Sequence, residues 1–172
     1  RDLCSAESRA LPDGFSAVSD PAASFGPDEL DELRGIADGA GAAFDELARL
    51  NLALYLDAGG GGLHFDITAE SNRPFGLIHG VNEDFRRADG FRDLLERFLF
   101  VRHPDGAIPH VTFGVAGQVG GLNGINAAGL TVSTAALLDL EGRGRPKAAR
   151  LHTVFVKNIL ERVSEVDEAI AL

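Results

Sequence analysis

The chain has 172 residues, 45% of them apolar, with 16 Lys and Arg against 26 Asp and Glu and a formal net charge of −10. That length suits one domain with a core of its own, and the acidic balance argues against a general nucleic-acid binder, which needs a face where cations outnumber carboxylates. The single cysteine, Cys4, excludes an internal disulfide and any cluster built on several thiolates, and no apolar run approaches the roughly 20 residues of a membrane-spanning helix. A soluble chain is the expectation, with the cytoplasm as its compartment.

Residues 1–26 carry Pro12, Gly14, Pro21 and Gly26 without a sustained period and read as an extended lead-in. The domain itself is read over 27–172. Pro27 followed by Asp28, Glu29, Asp31 and Glu32 suits a first helical turn, where proline loses no hydrogen bond and acids complement the dipole. Leu30, Leu33 and Ile36 or Ala37 supply the apolar stripe, and Gly39 and Gly41 end the helix. A second helix with Phe44, Leu47, Leu50 and Leu54 on one face completes a helical hairpin over 27–58.

The run from Gly59 to Gly62 fits no regular element, because each glycine weakens a helix by about 1 kcal/mol relative to alanine. From Leu63 the period becomes two. Leu63, Phe65, Ile67 and Ala69 alternate with His64, Asp66, Thr68 and Glu70, the pattern of a half-buried strand with its apolar side inward. Asn72 to Gly76 makes a turn and Leu77 to Asn82 the antiparallel partner. Further strands are predicted at 98–101, 111–115 and 130–138, with a turn at His103 to Gly106 and a glycine-rich loop over 117–124, giving a sheet meander over 63–138. Helices follow over 149–172. The first has Val154, Phe155, Ile159, Leu160 and Val163 as its apolar positions, and Ser164 with Asp167 forms a capping box for the second. A helix pair, strands and then helices make an α+β fold with helices packed on an antiparallel sheet.

Few residues offer chemistry by local pattern. Cys4 reads as an incidental thiol. His64, His79, His103, His110 and His152 lack zinc-binding spacing and read as solvated or core residues, so neither metal nor cofactor is expected. The segment from Gly114 to Gly120 has the form G-x-x-G-x-x-G, yet no lysine follows, and it reads as tight turns between antiparallel strands. The strand ending at Asn82 places polar groups at a sheet edge.

Several segments together resemble one family. Arg34 to Gly41, Phe44 to Leu47 and Leu50-Asn51 are similar to the helix pair preceding the cleavage site of the penicillin acyltransferase-type, self-processing Ntn (N-terminal nucleophile) hydrolases. The strand from Leu63 to Ala69, the segment from Gly80 to Phe85, the segment from Gly121 to Val132 and the closing helices follow in the family's order. The resemblance covers about residues 28–172 and implies the front portion of an αββα sandwich. It further implies a precursor that cuts itself before a cysteine, whose thiol attacks a small-molecule amide or thioester while its freed α-amine serves as base. Aligning the family's apolar residue on Phe65 puts the nucleophile position at Gly62, which has no side chain. Asn82 and Asp84 match the family's Asn and Asp after the second strand, with Asp84 orienting the nucleophile and Asn82 supporting it. The expectation is therefore a degenerate or truncated acyltransferase or amidohydrolase, inactive because of Gly62, with Thr68 and Ser71 as substitute hydroxyls in or after the strand and not at its start. The alternative is a non-catalytic module that binds a small molecule or a protein partner on the same fold, with no nucleic acid and no membrane involved.

Overall fold

In the computed structural model, which describes residues 21–56, 62–71, 73–83, 97–135 and 151–172, the acidic segment opens helix α1 (Pro27–Ala40) with proline in its first turn. Gly41 closes α1 in the left-handed conformation at φ 61°, its N–H reaching the carbonyls of Ala37 and Asp38. Helix α2 (Phe44–Leu56) returns against it. Leu33, Ala37, Leu47, Ala48 and Leu52 form a core together with Val119, Leu151 and Val154. Phe25 joins that core and Pro21–Ser24 is a 3₁₀ turn, so the end of the segment read as an extended lead-in is helical and anchored by one buried ring. An aromatic ring among apolar neighbours outweighs the weak local propensity around it.

Strands β1 (Gly62–Ile67) and β2 (Ile78–Glu83) pair antiparallel as a two-stranded sheet, with Leu63 opposite Asn82, Phe65 opposite Gly80 and Asp66 opposite His79. The ring of Phe65 lies over Gly80, where a Cβ would come within 2.2 Å of it. The hairpin matches the expectation, but its sides are reversed. Leu63 and Phe65 are 62% and 48% exposed, while His64 and His79, on the opposite side, turn toward a second sheet.

That second sheet has, among the described residues, four strands in the order β3-β4-β5-β6, all antiparallel: β3 (Arg97–Arg102), β4 (His110–Val115), β5 (Asn123–Asn126) and β6 (Thr131–Ser133). Strand β5 begins inside the expected glycine-rich loop and runs past its end, and β6 is three residues long among the described residues. Helix α3 (His152–Arg162) packs across the sheet on the face that carries Thr112, Gly124 and Val132. A Cβ on Gly124 would sit 2.7 Å from Leu160, so the glycine lets the helix approach the strand. Ile159, Val163 and Leu130 form a smaller core beneath it. The last helix, α4 (Val166–Ile170), is preceded by Ser164, whose N–H and hydroxyl both donate to Glu168 Oε2. The capping carboxylate is thus Glu168 and not Asp167.

Two buried asparagines tie the layers together. Asn51 of α2 donates to the carbonyls of Leu47 and Gly117 and accepts from the N–H of Val119 at 2.7 Å. Asn126 joins β5 to the end of α3 by donating to the carbonyls of Leu160 and Val163. The chain is an α+β protein with antiparallel sheets, and no helix among the described residues is long and apolar enough to cross a membrane.

Candidate functional site

Side chains alternate along a strand, so Gly62, His64 and Asp66 share one side of β1, and the register adds His79 to it from β2. In the four-stranded sheet Ser133, Asn123, Phe113 and Leu99 form one cross-strand row on the face away from α3. The polar side of the hairpin meets this face at β6. His79 Nε2 lies 2.8 Å from Ser133 Oγ, and His79 Nδ1 lies 2.6 Å from Asp66 Oδ1. His64 Nδ1 approaches the same serine oxygen at 2.7 Å. The side chain of His79 is 18% exposed and that of Asp66 59%, so the acid faces solvent while the imidazole is largely enclosed.

Serine, imidazole and carboxylate are joined here atom by atom in the order of a hydrolytic triad: hydroxyl to one ring nitrogen, the other ring nitrogen to the acid. Such a chain activates a hydroxyl because the imidazole can take its proton while the carboxylate holds the ring in place. The order Asp66, His79, Ser133 in sequence is immaterial to that geometry.

The residues singled out from sequence fare differently. Gly62 begins β1 opposite Glu83, on the side that carries His64 and Asp66. Asn82 pairs with Leu63 and therefore lies on the opposite, outward side of the hairpin, away from Ser133. Asp84 and Cys4 lie outside the described residues. Thr68 and Ser71 are exposed and hydrogen-bond to each other at 3.2 Å, remote in role from the histidines. His64 and His79, read as scattered residues, converge on one hydroxyl. Period-two alternation would have placed His64 with Asp66, and the hairpin register would have added His79; nothing local marks Ser133.

The glycine-rich segment connects antiparallel β4 and β5, with no helix N-terminus after it, as turns require. Gly120 has φ 92° and backs directly on the carbonyl of Thr153.

A second polar cluster is structural in design. Glu32 of α1 accepts from Arg102 of β3 at 2.5 Å and from Lys157 of α3 at 2.7 Å, bridging three elements. Burial pushes the Glu32 carboxyl up, but the hydrogen bonds and charges of Lys157 and Arg102 outweigh it and hold the group below its ordinary value. Beside this cluster is a cavity of about 610 Å³ lined by residues that include Asp105, Ile108, Lys157, Glu161 and Arg162. No cluster of three or more His, Cys, Asp or Glu among the described residues could hold a metal ion. The chain matches no protein-family model and no curated protein.

Proposed function

We propose that the chain is an acyl-transferring hydrolase of small amides or esters in which Ser133 is the nucleophile, His79 the general base and Asp66 its orienting acid. The unbroken hydrogen-bonded chain from Ser133 Oγ through His79 to Asp66 carries this reading. Ser133 gives its proton to His79 Nε2 as Oγ attacks the acyl carbon. His79 then returns that proton to the departing amine or alkoxide, and water releases the acyl group by the same route in reverse.

The chemistry is the amide-directed acyl transfer implied by the Ntn resemblance, carried out by a different residue. On this view α3, the four-stranded sheet and the β1–β2 hairpin correspond to layers of the αββα sandwich. Gly62 stands where the family's thiol would be, on the same side of β1 as His64 and Asp66. A hydroxyl from the facing sheet takes over. Asn123, cross-strand partner of Ser133 on the same face, offers an amide donor beside the developing oxyanion.

Labelling with a fluorophosphonate, read by peptide mass spectrometry, tests the reading. Modification is expected at Ser133, absent in Ser133→Ala and slowed roughly 10³-fold or more in His79→Ala. The intact mass of the purified chain should remain that of the uncut protein. Equal labelling of the wild type and Ser133→Ala, or none of either, would leave the cleft as the surface of a non-catalytic binding module. A cut beside residue 62 would point instead to self-processing of the kind the resemblance implies.

A further inference from the structure

Ser133 is contacted by two imidazoles but owns a single proton, and that inequality decides the state of every group around it. The Asp66 carboxylate only accepts, so the 2.6 Å contact requires His79 Nδ1 to carry hydrogen. Neutral His79 then has a bare Nε2, and the 2.8 Å contact there must be donated by the serine hydroxyl. With its one proton committed to His79, Ser133 Oγ can serve His64 only as acceptor. The 2.7 Å contact is therefore an N–H donated by His64 Nδ1. In the neutral ring His64 Nε2 is then bare, and this atom is buried with no hydrogen-bond partner among the described residues. A bare ring nitrogen is the less costly group to leave so placed, because an N–H there would be an unpaired buried donor.

The opposite arrangement fails on the same count. If the serine proton pointed to His64, His79 Nε2 would have to donate, making His79 an imidazolium and leaving His64 with an N–H at its buried, unpartnered Nε2. Serine would then hold its proton away from the base that the triad geometry supplies.

We propose that His64 is a positioning residue: its Nδ1–H occupies the acceptor side of Ser133 Oγ and so directs the serine proton onto His79. As Oγ loses that proton it gains negative charge, and a fixed N–H donor to it strengthens at that moment. No proton is transferred to or from His64 in this role. The inference rests on the reading of Ser133 as nucleophile for its catalytic consequence, but its proton count does not.

Two measurements test it. Long-range nitrogen–proton correlation NMR on uniformly ¹⁵N-labelled full chain at pH 8 should find His64 protonated at Nδ1 and bare at Nε2, with His79 likewise protonated at Nδ1. A His64 ring protonated at Nε2 overturns the proposal whether or not Ser133 reacts. The second measurement compares His64→Asn with His64→Asp, two side chains of one shape. Asparagine can set an amide N–H where Nδ1 lies, whereas aspartate offers only acceptors and draws the serine proton to itself. Fluorophosphonate labelling should stay within about threefold of wild type in His64→Asn and fall on the order of 100-fold in His64→Asp. Equal rates in both variants, each confirmed folded by circular dichroism, would refute the donor role. Absence of labelling in the wild type with the expected tautomers would instead refute Ser133 as nucleophile and leave the proton arrangement standing.

Discussion

Removing the side chain of Asn126 should cost more than any other single polar truncation in the sheet, because four backbone groups depend on it. Its Oδ1 accepts from the N–H groups of Ala128 and Leu130 at 3.1 and 3.0 Å, and its Nδ2 donates to the carbonyls of Leu160 and Val163 at 3.1 and 2.8 Å. The bonds to Leu130, Leu160 and Val163 are buried, whereas that to Ala128 is partly open to water. A buried group left without a partner costs about 1–3 kcal/mol, so three at the low end give about 3 kcal/mol for Asn126→Ala. For a chain of this size each kcal/mol lowers Tm by about 2–4 °C, which predicts a fall of about 6–12 °C. Asn126→Asp keeps the shape and the two accepted bonds but sets a second oxygen against two carbonyls, and should destabilise at least as much at neutral pH. Urea unfolding followed by far-ultraviolet circular dichroism measures both. Asn126→Ala within 1 kcal/mol of wild type would refute the view that this side chain joins α3 to the strand leading into β6 and Ser133.

The depressed carboxyl of Glu32 contributes stability that is present above its ordinary value of 4.5 and lost as pH falls through its lower folded value. Glu32→Gln should therefore lose about 3 kcal/mol at pH 7, by leaving Arg102 and Lys157 one neutral carbonyl oxygen in place of their shared carboxylate, and flatten the decline of the urea midpoint below pH 4.5. Burial holds His152 below its ordinary 6.5, so protonation of the unfolded chain penalises folding as pH drops from 6.5 toward the folded value; His152→Gln should remove that slope just below pH 6.5. Gly120→Ala drives a Cβ to 2.3 Å from the Thr153 carbonyl oxygen at φ 92° and should cost about 3 kcal/mol or more, while Gly129→Ala, at φ 90° with open space around it, should cost only the backbone strain of about 1–2 kcal/mol. Thermal melts of the pair separate clash from strain.

Legibility in the sequence followed the range of the interactions. The helical hairpin was readable because proline, first-turn acids, a 3.6-residue stripe and closing glycines all act within one or two turns. The β1–β2 hairpin was readable for the same reason. Strand β5 was not. Asn123, Gly124 and Asn126 have the composition of a turn, yet Gly124 is glycine because Leu160 and the Val111 carbonyl crowd its α-carbon, and Asn126 is asparagine because it collects bonds from α3. Both reasons lie outside the segment itself. Asn51, 66 residues from Gly117 and 68 from Val119, is the same kind of case, a polar residue in a helix stripe whose partners only the fold supplies.

The sides of β1 show how a correct period can still put the wrong side inward. Alternation assigned Leu63, Phe65 and Ile67 to one side and His64 and Asp66 to the other, and hydrophobicity alone ranks the first side as the buried one. What turns the polar side inward is Ser133, 69 residues beyond His64 and 54 beyond His79, which satisfies ring nitrogens that water would otherwise serve. The residues matched by the resemblance, Gly62 and Asn82, lie at the end of the hairpin, Asn82 on its outward side. The hydrogen-bonded groups lie two to four residues further along β1 and on another sheet. A hydroxyl presented from β6 needs neither a free α-amine nor a cysteine at position 62, so the proposed acyl transfer by Ser133 does not depend on what stands at position 62.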